Sequence, residues 1–273
     1  MQTTSPLTET EWDSEERLVG SDRVLAVLTE LSRHAAGIGL EEMARAVRSP
    51  KPTVHRALAS LRRAGLAAQD GHGHYVLGDE FLRMAFAHHE ARPDHLRMQP
   101  ILDRLAERYL ETVHYAVLDG PFVVYRAKVD PPSGAIKLSS TVGGRNPAHA
   151  TAVGKLLLAH LLPDEDAVRS WVGSRLLARP TERTKATVEE LHLELCRIRE
   201  KGYGVDDQEN EPGINCLALP VFLTSATIPS GAISISALVY RTPLQTLISE
   251  LPTIRLIIGS LTNEDHMRKD LPE

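Results

Sequence analysis

The chain has 273 residues, of which 42% are hydrophobic and 25% charged, and its formal net charge is −5. The length exceeds that of one typical domain, and the composition suits a globular protein with a substantial core. Two cysteines are too few for a disulfide framework. We find neither an apolar run that could span a bilayer nor a signal peptide at the acidic N-terminus. We therefore expect a cytoplasmic protein without a membrane partner.

The net charge conceals a division between two parts of the chain. Residues 21–78 carry eight arginines and lysines against five acidic residues, a net charge of +3, which leaves −8 on the remainder. A basic segment on an acidic remainder is typical of a protein that binds a polyanion at one end.

The N-terminal part predicts a winged helix-turn-helix at residues 21–78, preceded by a disordered tail at residues 1–20. Three amphipathic helices are expected, with apolar stripes at Val24, Leu25, Leu28 and Leu31, then at Leu40, Met43, Ala44 and Val47, then at Val54, Leu58 and Leu61. Asp70, Gly71 and Gly73 predict a hairpin, because these residue types tolerate positive φ. Three helices followed by a hairpin are the elements of a winged helix-turn-helix, in the order of that fold.

A linker helix is predicted at residues 79–95, where Asp79 can act as a cap. A second domain follows at residues 96–263, and a tail at residues 264–273. Its predicted strands are Val113–Leu118, Phe122–Val129, Ile136–Thr141, Cys216–Leu223 and Gly231–Tyr240, and its predicted helices are Leu96–Tyr109, Ala150–Leu162, Val188–Lys201 and Thr242–Leu261. These elements indicate an α+β fold with a mostly antiparallel sheet.

The third helix carries most of the candidate DNA-binding residues. Its face opposite the apolar stripe combines small side chains with long hydrogen-bond donors, which suits a helix lying in the major groove. The candidates on the helix and at the hairpin tip are Lys51, Thr53, His55, Arg56, Ser60, Arg63, His72 and His74. Any one of them alone is as compatible with a solvated helix face. The order of the elements favours a double-stranded DNA operator as the partner.

Three segments resemble the isocitrate-lyase-regulator (IclR) family of bacterial transcription factors, and the resemblance as a whole runs from about Ser21 to Ser260. They are GLEEMARAVRSPKPTVHRALASLRRAGL, NPAHATAVGKLLLAHL, and KGYGVDDQENEPGINCLALPVF followed by GAISIS. The resemblance implies a GAF-like effector domain, dimers through the DNA-binding halves and often tetramers. The family usually has Ser where this chain has Pro52. This proline removes one N–H and is expected to push Lys51 from helical geometry.

The resemblance also implies that a small-molecule effector contacts Ala152, Val153, Asp206, Cys216, Ser234 and Ser236. Strand alternation agrees, because it places Ser234 and Ser236 on the face opposite Ile233 and Ile235. The first turn of the helix after His149 offers free N–H groups, which suit a carboxylate. We therefore predict a small polar or anionic effector, although each residue alone is also compatible with a structural role.

Two other classes of function stay open as alternatives: an enzyme acting on a small metabolite, and a protein-interaction module without DNA binding. Gly154-Lys155 lacks the first Gly and the Ser or Thr of a phosphate-binding loop. Cys216, His149 and Asp206 lack the spacing of a known catalytic triad. The histidines include no H-x-x-x-H pair, so we expect neither a metal nor a cofactor. The sequence predicts a transcription regulator, a repressor by default, rather than an enzyme.

Overall fold

The computed structural model describes residues 20–90, 94–131 and 138–259. The chain forms two compact units that divide between Pro93 and Asp94. The predicted N-terminal tail, apart from Gly20, and the predicted tail at residues 264–273 lie outside the described residues. Each unit has its own hydrophobic core.

The first unit is a small helical domain with one hairpin. Its elements are α1 (Gly20–Leu31), α2 (Leu40–Ala46), α3 (Lys51–Arg63), β1 (Ala67–Gln69), β2 (Tyr75–Leu77) and α4 (Asp79–Glu90). The two strands pair antiparallel, and Ile38 forms an isolated bridge to Tyr75. This order confirms the predicted winged helix-turn-helix.

The core of the first unit lies where α1, α2 and α3 meet. Val27, Met43 and Leu58 are buried at the contact between the helices. The prediction for α1 was wrong at one position, because Leu25 is exposed and Val27 is buried in its place. Gly65 ends α3 with a φ of 73°, in the left-handed region that glycine adopts without strain.

The second unit contains a six-stranded sheet with helices on both faces. Its elements are α5 (Asp94–Tyr109), β3 (Thr112–Asp119), β4 (Phe122–Val129), β5 (Arg145–Pro147), α6 (Ala152–Leu161), α7 (Glu165–Val172), α8 (Val188–Lys201), β6 (Gly204–Asp207), β7 (Ile214–Val221), β8 (Gly231–Leu238), α9 (Leu244–Ser249) and α10 (251–259). The strand order is β5-β4-β3-β8-β7-β6, and all neighbours are antiparallel. The predicted α+β class is thus confirmed.

The two faces of this sheet bury different cores. Ile233 and Ile235 of β8 lie on one face, in a core shared with residues of α5, α9 and α10. Ala218 and Ala232 lie on the other face, in a core shared with α6 and α8. The separation follows from the two-residue period of a strand, as predicted for β8. We call the second of these surfaces the α6 face.

Several predicted boundaries were wrong. Residues 138–141, the described part of the predicted strand Ile136–Thr141, are not in a strand, and Ile136 lies outside the described residues. Helix α6 begins at Ala152 rather than Ala150, because Thr151 adopts extended geometry and caps it. The sequence analysis did not predict α7, β5 or β6, which are short or lack a clear apolar period. The capping box of Thr187 and Glu190 at α8 is confirmed.

Candidate DNA-binding face and effector site

Helix α3 presents its predicted DNA-binding residues on the surface of the first unit. Lys51, His55, Arg56 and Arg63 are exposed, and Thr53 and Ser60 are half-buried. Leu58 and Leu61 anchor the opposite side of the helix in the core. Arg63 donates to Ser60 Oγ over 2.9 Å, so its guanidinium is held along the exposed face.

The N-terminus of α3 corrects one prediction. Lys51 is the first helical residue, so Pro52 does not push it from helical geometry. Pro50 precedes it in an extended conformation (φ −58°, ψ 138°) and fixes the direction in which the helix starts. Pro52 is tolerated because N–H groups of a first turn have no partner within the helix. Lys51 Nζ lies 3.2 Å from a carboxylate oxygen of Glu41, and both side chains are exposed.

The hairpin tip is organised by Asp70. One of its carboxylate oxygens accepts the N–H groups of His72 (2.9 Å) and His74 (2.8 Å). Gly73 has a φ of 86° between them, as the turn requires. Both histidine side chains are therefore presented outward at the tip, where the sequence analysis expected contact with DNA. That contact remains a prediction.

In the second unit, Ala152 and Val153 lie buried in the first turn of α6. Thr151 Oγ1 accepts the N–H of Gly154 over 3.1 Å, while N–H groups of a first turn have no helical partner of their own. A Cβ added to Gly154 would lie 2.2 Å from the carbonyl oxygen of Ala148. The glycine thus lets the chain before α6 lie directly against its first turn, where the helix dipole favours an anion.

The remaining predicted effector residues lie together on the α6 face of the sheet. Strand pairing places Asp206 beside Cys216, and Cys216 beside Ser236. The Cys216 thiol donates to Ser236 Oγ over 3.2 Å. Ser234 lies two residues before Ser236 in β8 and on the same face, beside Ala218 of β7 and His114 of β3. The structure therefore brings Asp206, Ser234 and Ser236, which are buried, and the half-buried Cys216 into one polar group.

Asp206 is a buried carboxyl group, not part of a solvated turn. Its Oδ1 accepts the N–H of Glu209 over 2.6 Å and that of Asn210 over 3.4 Å. Burial raises the pKa of Asp206 to about 7, although the Lys155 ammonium and the Glu209 N–H act to lower it. This carboxyl group therefore exchanges a proton near neutral pH.

The buried ion pair of Lys155 and Glu209 was not predicted from the sequence. Lys155 is fully buried in α6, donates to Glu209 Oε1 and lies 3.6 Å from a carboxylate oxygen of Glu194. The hydroxyl of Thr184 donates to the Glu209 carbonyl over 2.6 Å. The available signal was a lysine within the otherwise apolar run AVGKLLLA, which a buried helix accepts only with a paired charge.

His114 and Tyr125, which adjoin the predicted effector residues, were not predicted from the sequence either. Ser236 Oγ lies 3.4 Å from His114 Nδ1, and His114 Nε2 hydrogen-bonds Ser140 Oγ over 2.8 Å. The His114 and Tyr125 rings lie 4.5 Å apart between centroids. Burial, with the nearby Lys128 ammonium, lowers the pKa of His114 to about 3, so this ring is neutral. The signal was the alternation along β3, which puts His114 on the α6 face.

Two cavities in the described ranges lie away from this polar group. One, of about 310 Å³, is lined mainly by residues of β7 and α10, among them Leu219, Val221 and Ile258. The other, of about 290 Å³, lies beside α8 and includes Arg197 and Tyr203. Neither is lined by a predicted effector residue.

Features of other functional classes are limited in residues 20–90, 94–131 and 138–259. That part of the chain contains no group of three or more potential metal ligands. None of its helices combines the length and the apolar character needed to cross a membrane. Burial, followed by the charge of Asp206, raises the pKa of the Cys216 thiol, which disfavours the thiolate form. His149 Nε2 donates to the Ala178 carbonyl over 2.7 Å rather than to a thiol.

Comparison with known proteins agrees with this arrangement. Residues 21–71 match the IclR helix-turn-helix domain, and residues 95–255 match the bacterial transcriptional regulator IclR C-terminal domain. The regulator KdgR of Escherichia coli is 35% identical over 202 residues, which cover 73% of this chain and 75% of that protein. The transcriptional repressor IclR of Escherichia coli is 30% identical, with 80% of both chains covered.

A solved structure shows the same fold. An IclR homologue from Microbacterium hydrocarbonoxydans, complexed with 4-hydroxybenzoate, superposes with a TM-score of 0.73 at 22% identity, covering 88% of this chain and 98% of that one. A helix-turn-helix unit is thus joined to a ligand-binding type of domain, in the order found in these relatives. The chain belongs to the IclR family of bacterial transcriptional regulators, which bind DNA through the first unit and carry a ligand-binding domain in the second.

Proposed function

We propose that this protein represses transcription by binding a palindromic operator as a dimer or tetramer, and that a small carboxylate in the second unit controls this binding. The observation that carries the proposal is the polar group of Asp206, Cys216 and Ser236. Convergent polar side chains of this kind on the inner face of a sheet favour a polar ligand.

The DNA contact is assigned to the exposed face of α3 and the hairpin tip. Arg56 and Arg63 supply the long donors, and Ser60 and Ala59 leave room for the helix to lie deep in the groove. Lys51 and Thr53 contact phosphate at the helix N-terminus. His72 and His74 contact the DNA backbone or the minor groove from the tip. Because its target is bacterial DNA, the protein acts in the cytoplasm.

Dimer formation is assigned to α4. This helix exposes Leu82, Met84 and Phe86, each with about half or more of its side chain accessible. Neighbouring exposed apolar side chains of this size commonly mark a protein interface. A second copy of the chain is the proposed partner, because two-fold symmetric operators are read by two-fold symmetric proteins.

The effector is assigned to the region where the first turn of α6 meets the sheet. The free N–H groups of Ala152 and Val153 bind its carboxylate, and the hydroxyls of Ser234 and Ser236 bind its other polar atoms. The 4-hydroxybenzoate in the complex from Microbacterium hydrocarbonoxydans is a carboxylate, which is consistent with this class.

Control of DNA binding follows from linkage. An effector that binds one arrangement of the dimer more tightly than the other shifts the population toward it. Helix α4 is the last element of the first unit and precedes the second unit in the chain, so it is the proposed carrier of the change. We propose no catalytic step at Cys216, because the raised pKa of its thiol disfavours the thiolate form.

The experiment is a fluorescence anisotropy titration of the full chain with DNA from upstream of its own gene and with a scrambled duplex. The expected result is tight binding to the first duplex, at least 1000-fold over the scrambled duplex, as is typical of specific regulators. A panel of small carboxylates is then added to the complex, and at least one of them should change the affinity for the DNA. Equal, weak binding to both duplexes would overturn the regulatory proposal. Specific binding that no carboxylate alters would overturn the effector class alone.

A further inference from the structure

Two aromatic side chains adjoin the polar group on the β3 and β4 side of the sheet. Tyr125 of β4 and His114 of β3 both lie on the α6 face, and their rings pack at a tilt of 34°. A register shift places Tyr115 opposite Ala127 but Ala116 opposite Tyr125, so Arg126 is an extra residue in β4. This bulge turns Tyr125 toward the α6 face. Without the extra residue, the alternation of side chains along β4 would place Tyr125 on the opposite face, with Ala127.

The Tyr125 hydroxyl is a hydrogen-bond donor held in place. Its oxygen accepts the Asn146 side-chain amide over 3.1 Å, which leaves the phenolic proton available for an acceptor. Tyr125 is 92% buried, so bulk water does not supply the acceptor for this proton. Burial raises the pKa of Tyr125 well above its usual value, and the proximity of Cys216 and Asp206 adds to the rise. The hydroxyl therefore keeps its proton throughout the physiological range.

The surroundings also restrict charge on this side of the polar group. His114 is neutral, Asn146 donates an uncharged amide to Tyr125, and the carboxyl groups of Asp206 and Glu211 act on the Tyr125 hydroxyl through electrostatics. A second carboxylate on the ligand would lie in a region of low dielectric constant near the carboxyl groups of Asp206 and Glu211, which is unfavourable. An uncharged oxygen instead accepts a hydrogen bond from the Tyr125 hydroxyl without this electrostatic cost.

We propose that Tyr125 is a specificity-determining residue of the effector site, and that its hydroxyl donates to an uncharged hydroxyl or carbonyl oxygen of a monocarboxylate. His114 fixes the plane of the Tyr125 ring and closes this side of the polar group against a second charge. This inference rests on the proposed effector site at α6 and goes further by naming the group that distinguishes one carboxylate from another.

The test uses isothermal titration calorimetry of the full chain with pairs of carboxylates that differ by one hydroxyl. The pairs are lactate and propionate, 3-hydroxybutyrate and butyrate, and 4-hydroxyphenylacetate and phenylacetate. Within at least one pair, the hydroxylated member is expected to bind about tenfold more tightly, as one buried hydrogen bond allows. In Tyr125→Phe the preference should fall to about twofold or less, while the other member keeps its affinity.

Tyr115→Phe is the matched control, because Tyr115 is a buried tyrosine on the opposite face of the same sheet. It should leave both affinities unchanged. The proposal is overturned if Tyr125→Phe weakens both members of a pair equally, if it weakens neither, or if succinate binds as tightly as the preferred monocarboxylate. If no carboxylate binds the native chain, the carboxylate site of the proposed function fails as well.

Discussion

Lys155 and Glu209 form an ion pair inside the second unit, although 54 positions separate them in the chain. Lys155 comes from α6, and Glu209 comes from the loop between β6 and β7. The same loop places the Glu209 N–H on Asp206. The pair therefore connects the helix that begins at the proposed effector site with the strand that carries its buried carboxyl group.

The first prediction concerns this pair. Glu209→Gln should lower the free energy of unfolding by about 3 kcal/mol, because it leaves a buried ammonium with only the more distant Glu194. Lys155→Met should destabilise at least as much, since it strands the Glu209 carboxylate. The double variant should be more stable than Lys155→Met alone, as measured by urea unfolding followed by circular dichroism. Additive effects within about 0.5 kcal/mol would contradict the pairing.

The ion pair of Arg183 with Asp207, the last residue of β6, provides a matched control for that experiment. Arg183 lies 2.5 Å from Asp207, and both side chains are about half exposed. Asp207→Asn should leave the unfolding midpoint within error, because an exposed ion pair contributes little.

The second prediction concerns pH. The pKa of Asp206 is about 7 in the folded chain and near 3.8 without its environment, so the folded state binds more protons between these values. The contribution of Asp206 to stability is therefore full below about pH 4 and is lost as the pH rises through 7. Asp206→Asn should remove this loss. Relative to the native chain, it should gain about 1 to 3 kcal/mol in stability between pH 5 and pH 8.

Thermal unfolding of both proteins at four or five pH values measures this effect. If the stability of Asp206→Asn and that of the native chain differed by a constant amount from pH 5 to 8, Asp206 would be ionised throughout this range.

The third prediction concerns Gly154. An added Cβ would lie 2.2 Å from the Ala148 carbonyl oxygen and 2.6 Å from Thr151 Oγ1, so the start of α6 must shift. Gly154→Ala should cost about 1 to 3 kcal/mol in stability, as overpacking typically does. It should also weaken binding of any carboxylate that the native chain binds. Gly71→Ala is the control, because nothing lies within 4 Å of its added Cβ; a similar loss in both variants would rule out the steric reason.

The fourth prediction separates the arginines of α3. Arg56 and Arg63 are assigned to DNA, whereas Arg62 donates to Gln69 of the hairpin over 3.3 Å. The Arg56→Ala, Arg63→Ala double variant should lose most of its preference for the operator. If both contact phosphate, the slope of log K against log salt should fall by about 2. Arg62→Ala should change both quantities much less, and equal effects of all three arginines would contradict the assigned face.

The fifth prediction tests the oligomer. Met84→Glu and Phe86→Glu place a charge on the exposed apolar surface of α4, so they should shift the chain toward monomers in analytical ultracentrifugation and weaken operator binding. Leu176→Glu is the control, because Leu176 is also an exposed apolar residue but lies in the second unit. An unchanged sedimentation coefficient in the α4 variants would place the dimer contact elsewhere.

The sequence by itself determined the features that depend on local patterns. Apolar periods, glycines and proline positions were enough for the winged helix-turn-helix, because each of its helices buries one stripe over a short stretch of chain. The two-residue alternation assigned Ser234 and Ser236 to the face opposite Ile233 and Ile235. The capping box at Thr187 marked the start of α8 for the same local reason.

Only the tertiary structure decided which distant residues meet. Strand order places His114 beside Ser234, and the bulge at Arg126 turns Tyr125 to the same side. Neither relationship has a local signal, since both depend on pairing between strands far apart in the chain. The lysine in the apolar run of α6 indicates a paired charge, but only the fold identifies Glu209 as its partner. A buried charge is stable only with its partner, and the fold alone brings that partner within reach.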